Sequence, residues 1–237
     1  MEALARLAEV LRDLHGQGRE TLGAVVEAVR SAFSGDRETR RRVAFSIAMI
    51  ALSAKMAKAD GVVTPAEVMA FQQIFSIPAD EMRNVFRLYD LAKQDTAGFE
   101  AYAGRVASLC QDCGGDCTLL GDVLDGLFHI AKADGLVHER EIAFLARIAE
   151  IFGLDEDAFE QIRLRHTAGD GQAYAILGVD PRDPPDAIRR RYLELVRENH
   201  PDRLVARGVP KEFLAIATER MKAINHAYDT VAKAAAV

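Results

Sequence analysis

The triplet His200-Pro201-Asp202 carries the most distinctive side-chain chemistry in this 237-residue chain. Proline restricts its own φ angle, so it holds the neighbouring imidazole and carboxylate in a fixed relation. A carboxylate presented in this way can pair with an arginine of another protein, and bidentate pairing of this kind depends on orientation. We therefore expect His200 to make a protein contact and not to act as a general base.

Basic side chains accompany the triplet. We expect four arginines to form a positive face beside it: Arg189, Arg190, Arg197 and Arg203. Such a face would speed the encounter with an acidic surface of a partner protein. The formal net charge of the whole chain is −6, so nucleic acid is not the expected partner. No nucleophile–base pair or phosphate-cradling loop stands out, which predicts a protein that is not an enzyme and has no cofactor.

A repeated turn is a second candidate site. Lys-Ala-Asp-Gly occurs at residues 58–61 and again at 132–135, each time between two apolar helical stretches. In both copies, a glycine and a glutamate have the spacing that these residues have in a calcium-binding EF-hand loop. However, lysine and an apolar residue occupy the positions that would have to supply oxygen ligands. A helix-capping role explains the glutamates without a cation, most clearly at residues 64–67 and more weakly at 138–141. No metal is predicted, and a weaker hypothesis of a cation shared between the copies keeps four candidates: Asp60, Glu67, Asp134 and Glu141.

Three cysteines could suggest a zinc or redox site. Cys110, Cys113 and Cys117 lie close together, and His129 could complete a tetrahedral set. There is no second Cys-x-x-Cys pair, and Cys110 fits the apolar face of a helix. We interpret the three as ordinary reduced thiols near a helix–helix loop.

The amino-terminal half shows no export or membrane signal. The first 20 residues read as an amphipathic helix interrupted by charges. The most apolar run, Val43 to Ala54, is shorter than the roughly 20 residues that span a bilayer. Together with an odd number of cysteines, this predicts a cytoplasmic protein.

Composition and periodicity predict an all-α fold. Alanine, leucine, glutamate and arginine are abundant, and apolar residues recur at helical spacing. The repeated turn indicates two similar multi-helix units in one duplicated helical domain. We divide the chain into an N-terminal helical segment (1–42), the duplicated domain (43–166), a linker (167–171) and a C-terminal domain (172–237).

Three helices are predicted in the C-terminal domain. A short one covers residues 172–177, and a second begins with Asp183 as N-cap and Pro184 as the first helical residue. The second helix ends before Pro201, and a loop of about ten residues leads to a third helix from Lys211 to Lys233. The two long helices should form an antiparallel hairpin. Its core is expected to contain Ile188, Tyr192, Leu195, Val196, Ile224, Ala227 and Tyr228.

Four motifs in this domain resemble the J domain of DnaJ-type co-chaperones. They are Tyr-x-Ile-Leu-Gly-Val at 174–179, Ile-Arg-Arg-x-Tyr at 188–192, His-Pro-Asp-Arg at 200–203 and Met-Lys-x-Ile-Asn-x-Ala-Tyr at 221–228. The resemblance implies that the triplet and its arginines dock on a DnaK-type ATPase chaperone and stimulate ATP hydrolysis. Positions that are often basic in this family hold Leu193, Glu194 and Glu198 here, which predicts a weaker positive face.

A second resemblance covers roughly residues 43–166 and rests on the two Ala-Asp-Gly turns. This region is similar to the tellurite-resistance protein TerB, and the combination with a J domain resembles DjlA-type co-chaperones. Proteins of that type typically begin with a membrane-spanning segment, so contact with a membrane is expected only if an upstream anchor is missing from this chain. The resemblance implies a co-chaperone whose first domain recruits an unknown client, a partner or a second copy of itself.

Two alternatives remain open. The first is a stress- or metal-responsive TerB-like sensor in which the J domain is an accessory. The second is an assembly protein whose first domain dimerises.

Overall fold

A computed structural model describes residues 6–7, 9–11, 13, 22–32, 36–59, 71, 79, 82–94, 98–111, 118–132, 136–167 and 172–235. These residues form helices and turns without any strand, so the predicted all-α fold is confirmed. Across the same residues, no helix combines the length and the apolar composition that crossing a bilayer requires.

Seven helices with described bounds form most of the first part of the structure, and the described residues between 6 and 13 are also helical. The seven are α1 (Leu22–Ala32), α2 (Arg37–Ala59), α3 (Met82–Gln94), α4 (Phe99–Gln111), α5 (Thr118–Ala131), α6 (Glu139–Phe152) and α7 (Glu156–Thr167). Helix α2 is central and packs against α3, α4 and α5. Helices α2 and α5 bury residues around most of their circumference, as expected for helices inside a bundle. The remaining helices present one apolar side to these two.

The start of α6 shows why the second repeat carries a glutamate. The Glu141 carboxylate accepts a hydrogen bond of 2.8 Å from the backbone N–H of His138, the N-cap residue. This bond satisfies a backbone donor that no helical carbonyl can reach. Glu141 therefore has the capping role that the sequence indicated.

The C-terminal part adds four helices and a short 3₁₀ turn. They are α8 (Ala173–Leu177), α9 (Pro185–Glu198), α10 (Pro201–Arg207), the 3₁₀ turn Lys211–Phe213 and α11 (Ala215–Ala235). The predicted start of α9 is wrong by one residue, because Pro184 is the N-cap and Pro185 the first helical residue. Asp183 instead closes the preceding turn, since its carboxylate accepts a bond of 2.9 Å from the backbone N–H of Asp180.

The predicted ten-residue loop after α9 is also wrong, because it contains a helix. Proline disfavours helical geometry in the residue before it, which predicts the end of one helix, but a proline is equally suited to the first position of the next. Helix α10 uses Pro201 in that position and ends at Gly208, whose φ of +104° is left-handed. The last helix accordingly begins at Ala215 and not at Lys211.

The predicted hairpin core is confirmed. Ile188 and Leu195 of α9 lie buried with Ile224 and Ala227 of α11, and the other predicted members pack against them. Tyr192 and Tyr228 stack with their ring centroids 4.1 Å apart. The hydroxyl of Tyr192 also donates a 3.1 Å hydrogen bond to the side-chain oxygen of Asn225.

The C-terminal segment is packed into the core of the first seven helices. Four of its apolar residues are buried there: Leu204, Val209, Phe213 and Ile216. The Phe213 ring meets that of Phe45 edge to face at 5.2 Å. In the other direction, Leu164 of α7 is buried in the hairpin core. Each core thus contains residues from both parts of the chain.

Candidate partner-docking site

The His200-Pro201-Asp202 triplet forms the first turn of α10. His200 is the N-cap, and its Nδ1 accepts a bond of 3.3 Å from the backbone N–H of Asp202. The His200 carbonyl accepts a further bond of 2.9 Å from the backbone N–H of Arg203. Because Nδ1 is an acceptor, the neutral imidazole carries its proton on Nε2, where it remains available to a partner. The turn is therefore ordered by its own hydrogen bonds.

Both polar side chains of the triplet face solvent. The side chain of Asp202 is 93% exposed and that of His200 is 55% exposed. Their closest side-chain atoms, Nδ1 and Oδ2, are 3.6 Å apart. An exposed, ordered carboxylate of this kind is geometrically free to meet a guanidinium of another protein.

Four exposed arginines accompany the triplet on α9 and α10. They are Arg189, Arg190, Arg197 and Arg203. Within the described parts of the chain, no ion pair joins any of the four to a carboxylate. Their charge is therefore available to an external surface.

Two acidic residues of α9 approach an arginine outside this set. Glu194 and Glu198 lie 3.4 Å and 4.0 Å from Arg191, respectively. Leu193, which is 39% exposed, lies in a shallow groove with Arg189, Arg190 and Arg197, and Asp186 and Glu194 line the same groove. This face of α9 therefore combines three arginines with one apolar and two acidic side chains.

A buried ionic cluster lies behind the triplet, between α5 and the C-terminal helices. Asp122 and Asp125 are both buried in α5, although they carry charge. Arg220 of α11 donates to both, through Nη1 to Asp122 Oδ1 at 2.9 Å and through Nε to Asp125 Oδ2 at 3.0 Å. Arg165 of α7 reaches Asp125 Oδ1 at 3.0 Å, and Arg207 of α10 reaches Asp122 Oδ1 at 3.5 Å. We call these five residues the aspartate–arginine cluster.

The arginines of the cluster keep Asp125 ionised. Burial would raise the pKa of Asp125, but Arg220 and then Arg165 hold that pKa well below its ordinary value. Burial would lower the pKa of Arg220, and the two aspartates raise it above its ordinary value. Asp125 and Arg220 are therefore buried charges that depend on each other, because a buried charge without its partner is costly.

The cluster is connected to the residues directly before the triplet. Nη1 of Arg220 donates a bond of 3.0 Å to the side-chain oxygen of Asn199. Nη2 of Arg207 donates a bond of 2.9 Å to the backbone carbonyl of Glu198. The end of α9 is thus attached to α5 by two arginines.

Sequence reasoning missed the aspartate–arginine cluster. Its one visible signal is a pair of aspartates, three residues apart, on a helix that is otherwise apolar on all sides. Charge inside such a helix implies a buried partner, because an unpaired buried carboxylate is very costly. The partners themselves lie 40 to 98 residues away in the chain, beyond the reach of a local pattern.

The candidate metal sites have no structural counterpart in the described residues. Asp60, Glu67 and Asp134 lie outside those residues, as do Cys113 and Cys117. In the part of the chain that is described, no group of three or more histidine, cysteine, aspartate or glutamate side chains is placed to hold a metal ion.

Comparison with known families matches both halves of the chain. The family described as "Tellurite resistance protein TerB" matches residues 46–164, and the DnaJ domain matches residues 172–235. No solved structure matches the chain.

Several curated proteins are similar over most of the chain, and each is named "Co-chaperone protein DjlA". The protein of Photobacterium profundum is 28% identical over 81% of this chain and 78% of its own length. The protein of Escherichia coli K12 is 27% identical over 84% and 82%, respectively. That of Haemophilus ducreyi is 28% identical over 87% and 84%.

These relatives correct one prediction. The cytoplasmic location predicted from the sequence is contradicted by the similarity to proteins named "Co-chaperone protein DjlA", the type that the resemblance associates with an initial membrane-spanning segment. The absence of a long apolar run from this sequence is not evidence of where the protein is located.

Proposed function

The chain belongs to the DjlA-type J-domain co-chaperones, with a TerB domain followed by a DnaJ domain, and on this premise we propose that it docks on a DnaK-type chaperone and stimulates ATP hydrolysis. The observation that carries the proposal is the exposed, hydrogen-bonded His200-Pro201-Asp202 turn. It lies beside four exposed arginines, none of which forms an ion pair with a carboxylate of the described residues.

The docking role assigns a task to each group. The Asp202 carboxylate pairs with a guanidinium of the chaperone, and the Nε2 proton of His200 donates to an acceptor there. The four arginines attract an acidic surface and raise the rate of encounter. Leu193 contributes an apolar contact in the groove between them. None of these residues makes or breaks a covalent bond, which agrees with a co-chaperone and not a catalytic family.

The direct test is single-turnover ATP hydrolysis by a DnaK-type chaperone, measured against the concentration of this protein. Asp202→Asn removes one charge from a desolvated pair, which costs roughly 2–5 kcal/mol. We expect the half-maximal concentration to rise at least about 30-fold. His200→Gln should act in the same direction. Equal stimulation by the wild type and Asp202→Asn would contradict the proposal.

The positive face can be tested separately. Arg189→Ala combined with Arg190→Ala should raise the half-maximal concentration about fivefold, because each exposed charge contributes up to about 1 kcal/mol. The dependence of docking on salt should also weaken. Arg182→Ala is the matched control, since this exposed arginine is paired with Asp180 on the same domain. If Arg182→Ala raised the half-maximal concentration by the same factor, the loss would result from lower net positive charge and not from these particular arginines.

The TerB domain is proposed to recruit the client or a partner. Two large apolar side chains are exposed on it, Phe86 at 44% and Leu136 at 73%, and each is a separate candidate for contact with an unfolded segment. Phe86→Ser should weaken the capture of a permanently unfolded, fluorescent polypeptide while leaving ATPase stimulation intact. Asp202→Asn should instead weaken ATPase stimulation and leave the capture of the unfolded polypeptide intact. Capture that Phe86→Ser and Leu136→Ser leave unchanged would remove these residues from the proposal.

A further inference from the structure

We propose that the TerB domain holds the His-Pro-Asp turn in its docking geometry through Arg220, which is a positioning residue for that turn. The inference deepens the proposed function, because it rests on the turn being the docking element. It adds a physical path from the buried aspartates of α5 to the exposed triplet.

The TerB domain fixes the orientation of Arg220. Its guanidinium is 4% exposed and bonds to two carboxylates of one helix. Nε and Nη2 both lie within 3.0 Å of Asp125 Oδ2, and Nη1 lies 2.9 Å from Asp122 Oδ1. A planar group held by two carboxylates in this way has one orientation, unlike a lysine ammonium.

The same guanidinium then holds Asn199. One N–H of Nη1 remains after the bond to Asp122, and it donates to the Asn199 oxygen at 3.0 Å. The Asn199 amide also donates, through Nδ2, to the carbonyl of Leu195 at 2.7 Å. Both polar atoms of this buried amide therefore form hydrogen bonds. Nδ2 bonds to the last turn of α9, and the oxygen bonds to Arg220. The next residue in the chain is His200.

Arg207 provides a second attachment on the far side of the triplet. It belongs to α10, yet it contacts the Glu198 carbonyl at the end of α9 and Asp122 of α5. The turn between the two helices is thus held from both sides, and both arginines meet at Asp122. His200 and Asp202 are exposed, so the attachments of the neighbouring Asn199 and Arg207 add to the hydrogen bonds of the turn itself in setting its position.

The experiment compares two variants at Asn199 in the full chain. Asn199→Ala removes the acceptor for Arg220 and the donor to Leu195. Asn199→Asp keeps an acceptor for Arg220 but also loses the donor to Leu195, so the pair isolates the Arg220 contact. The readout is amide hydrogen exchange, by NMR, of Asp202, Arg203 and Leu204 in the first turn of α10, with global unfolding measured alongside.

We expect exchange at these amides to be at least about tenfold faster in Asn199→Ala, because a hydrogen bond to a charged group is lost. Asn199→Asp should restore exchange close to that of the wild type. Equal acceleration in both variants would assign the effect to the lost Leu195 bond and overturn the proposal. Unchanged exchange in both would overturn it as well.

A substitution in the TerB domain tests the same path from its other end. Asp122→Ala removes the oxygen on which Arg220 and Arg207 meet, while Asp125 still pairs with Arg220. We expect faster exchange in the first turn of α10 and a several-fold rise in the half-maximal concentration for ATPase stimulation. Exchange unchanged from the wild type would contradict the path. Exchange is measured without the chaperone, so a wild-type chain that fails to stimulate would refute the proposed function alone.

Discussion

The carboxylate of Asp125 accepts bonds from two arginines in distant parts of the chain. Arg165 directly follows the residues that match the TerB family, and Arg220 lies among those that match the DnaJ domain. Asp125 also lies 3.3 Å from Nε2 of His166, whose ring stacks on Phe128 with centroids 5.5 Å apart. One buried charge therefore connects α5, α7 and α11, which explains how an ionic residue is accommodated in an apolar helix.

The sequence pointed to the exposed residues of the proposed docking site and did not reveal the buried cluster beneath them, for a physical reason. The triplet and its arginines form a local pattern, with neighbours in sequence acting together. The aspartate–arginine cluster forms only when four helices pack, so its members have no common spacing. The family resemblance does not reveal it either, because the motifs that carried the resemblance do not include Asp122, Asp125 or Arg220.

Acid should weaken the fold through Asp125. Its pKa in the folded chain is held well below the ordinary value of 3.8, so the stabilisation is present above that value and is lost as pH falls through it toward the folded pKa. Asp125→Asn should lower the free energy of unfolding at pH 7 by about 3 kcal/mol, because the arginines lose a buried partner.

The same variant should flatten the pH dependence. Below pH 4, the slope of unfolding free energy against pH should fall by up to about 1.4 kcal/mol per unit, measured by chemical denaturation between pH 3 and 7. Asp157→Asn, which removes an exposed carboxylate of α7, controls for the loss of one acidic group. A wild-type slope in Asp125→Asn would show that Asp125 does not carry the effect.

Helix α10 is where the prediction of elements failed. Pro201 biases the preceding residue away from helix, and this correctly ended α9. The same rule does not tell whether a new helix starts at the proline. His200 decides the outcome, because its Nδ1 caps the turn and Leu204 buries the helix against the TerB core. The long helices of the hairpin were easier to predict from the sequence, because their apolar residues recur at helical spacing over several turns.

Gly208 follows α10 and lies close to α2. A Cβ added at Gly208 would lie 2.8 Å from Cβ of Arg41 in α2, and the φ of +104° is itself unfavourable for other residues. Gly153 also has a positive φ, +72°, but open space beside it. Gly208→Ala should therefore cost more stability than Gly153→Ala.

We expect about 1 kcal/mol for Gly153→Ala, from the left-handed backbone alone. Gly208→Ala should add roughly another 1–3 kcal/mol for the forced displacement of Arg41. Thermal and chemical unfolding of the two variants in parallel measure the difference. Equal costs would mean that α10 and α2 are not in close contact.

The two domains share their apolar cores in the whole molecule. Phe213 and Ile216 of the DnaJ domain are buried among TerB residues, and Leu164 of the TerB domain is buried in the hairpin core. Gly126 of α5 permits this approach, since a Cβ there would lie 2.7 Å from the end of Ile216. The sequence showed these positions as apolar but gave no means to assign them to one core or the other. The division into separate domains at residues 167–171 stays a prediction.

A shared interior predicts cooperative unfolding. Calorimetry should show one transition, with equal calorimetric and van't Hoff enthalpies, because neither core is complete without the other. Amides of α6 and of the central part of α11 should exchange with similar free energies of opening. Two resolved transitions, or full protection of α6 while α11 exchanges freely, would show that the domains fold independently.

The measurement that tests the central claim most directly is the rate of single-turnover ATP hydrolysis by a DnaK-type chaperone with increasing concentrations of this protein. A co-chaperone with an available His-Pro-Asp turn should produce a saturable increase in rate. Wild-type protein that leaves the hydrolysis rate unchanged at every concentration would contradict the account.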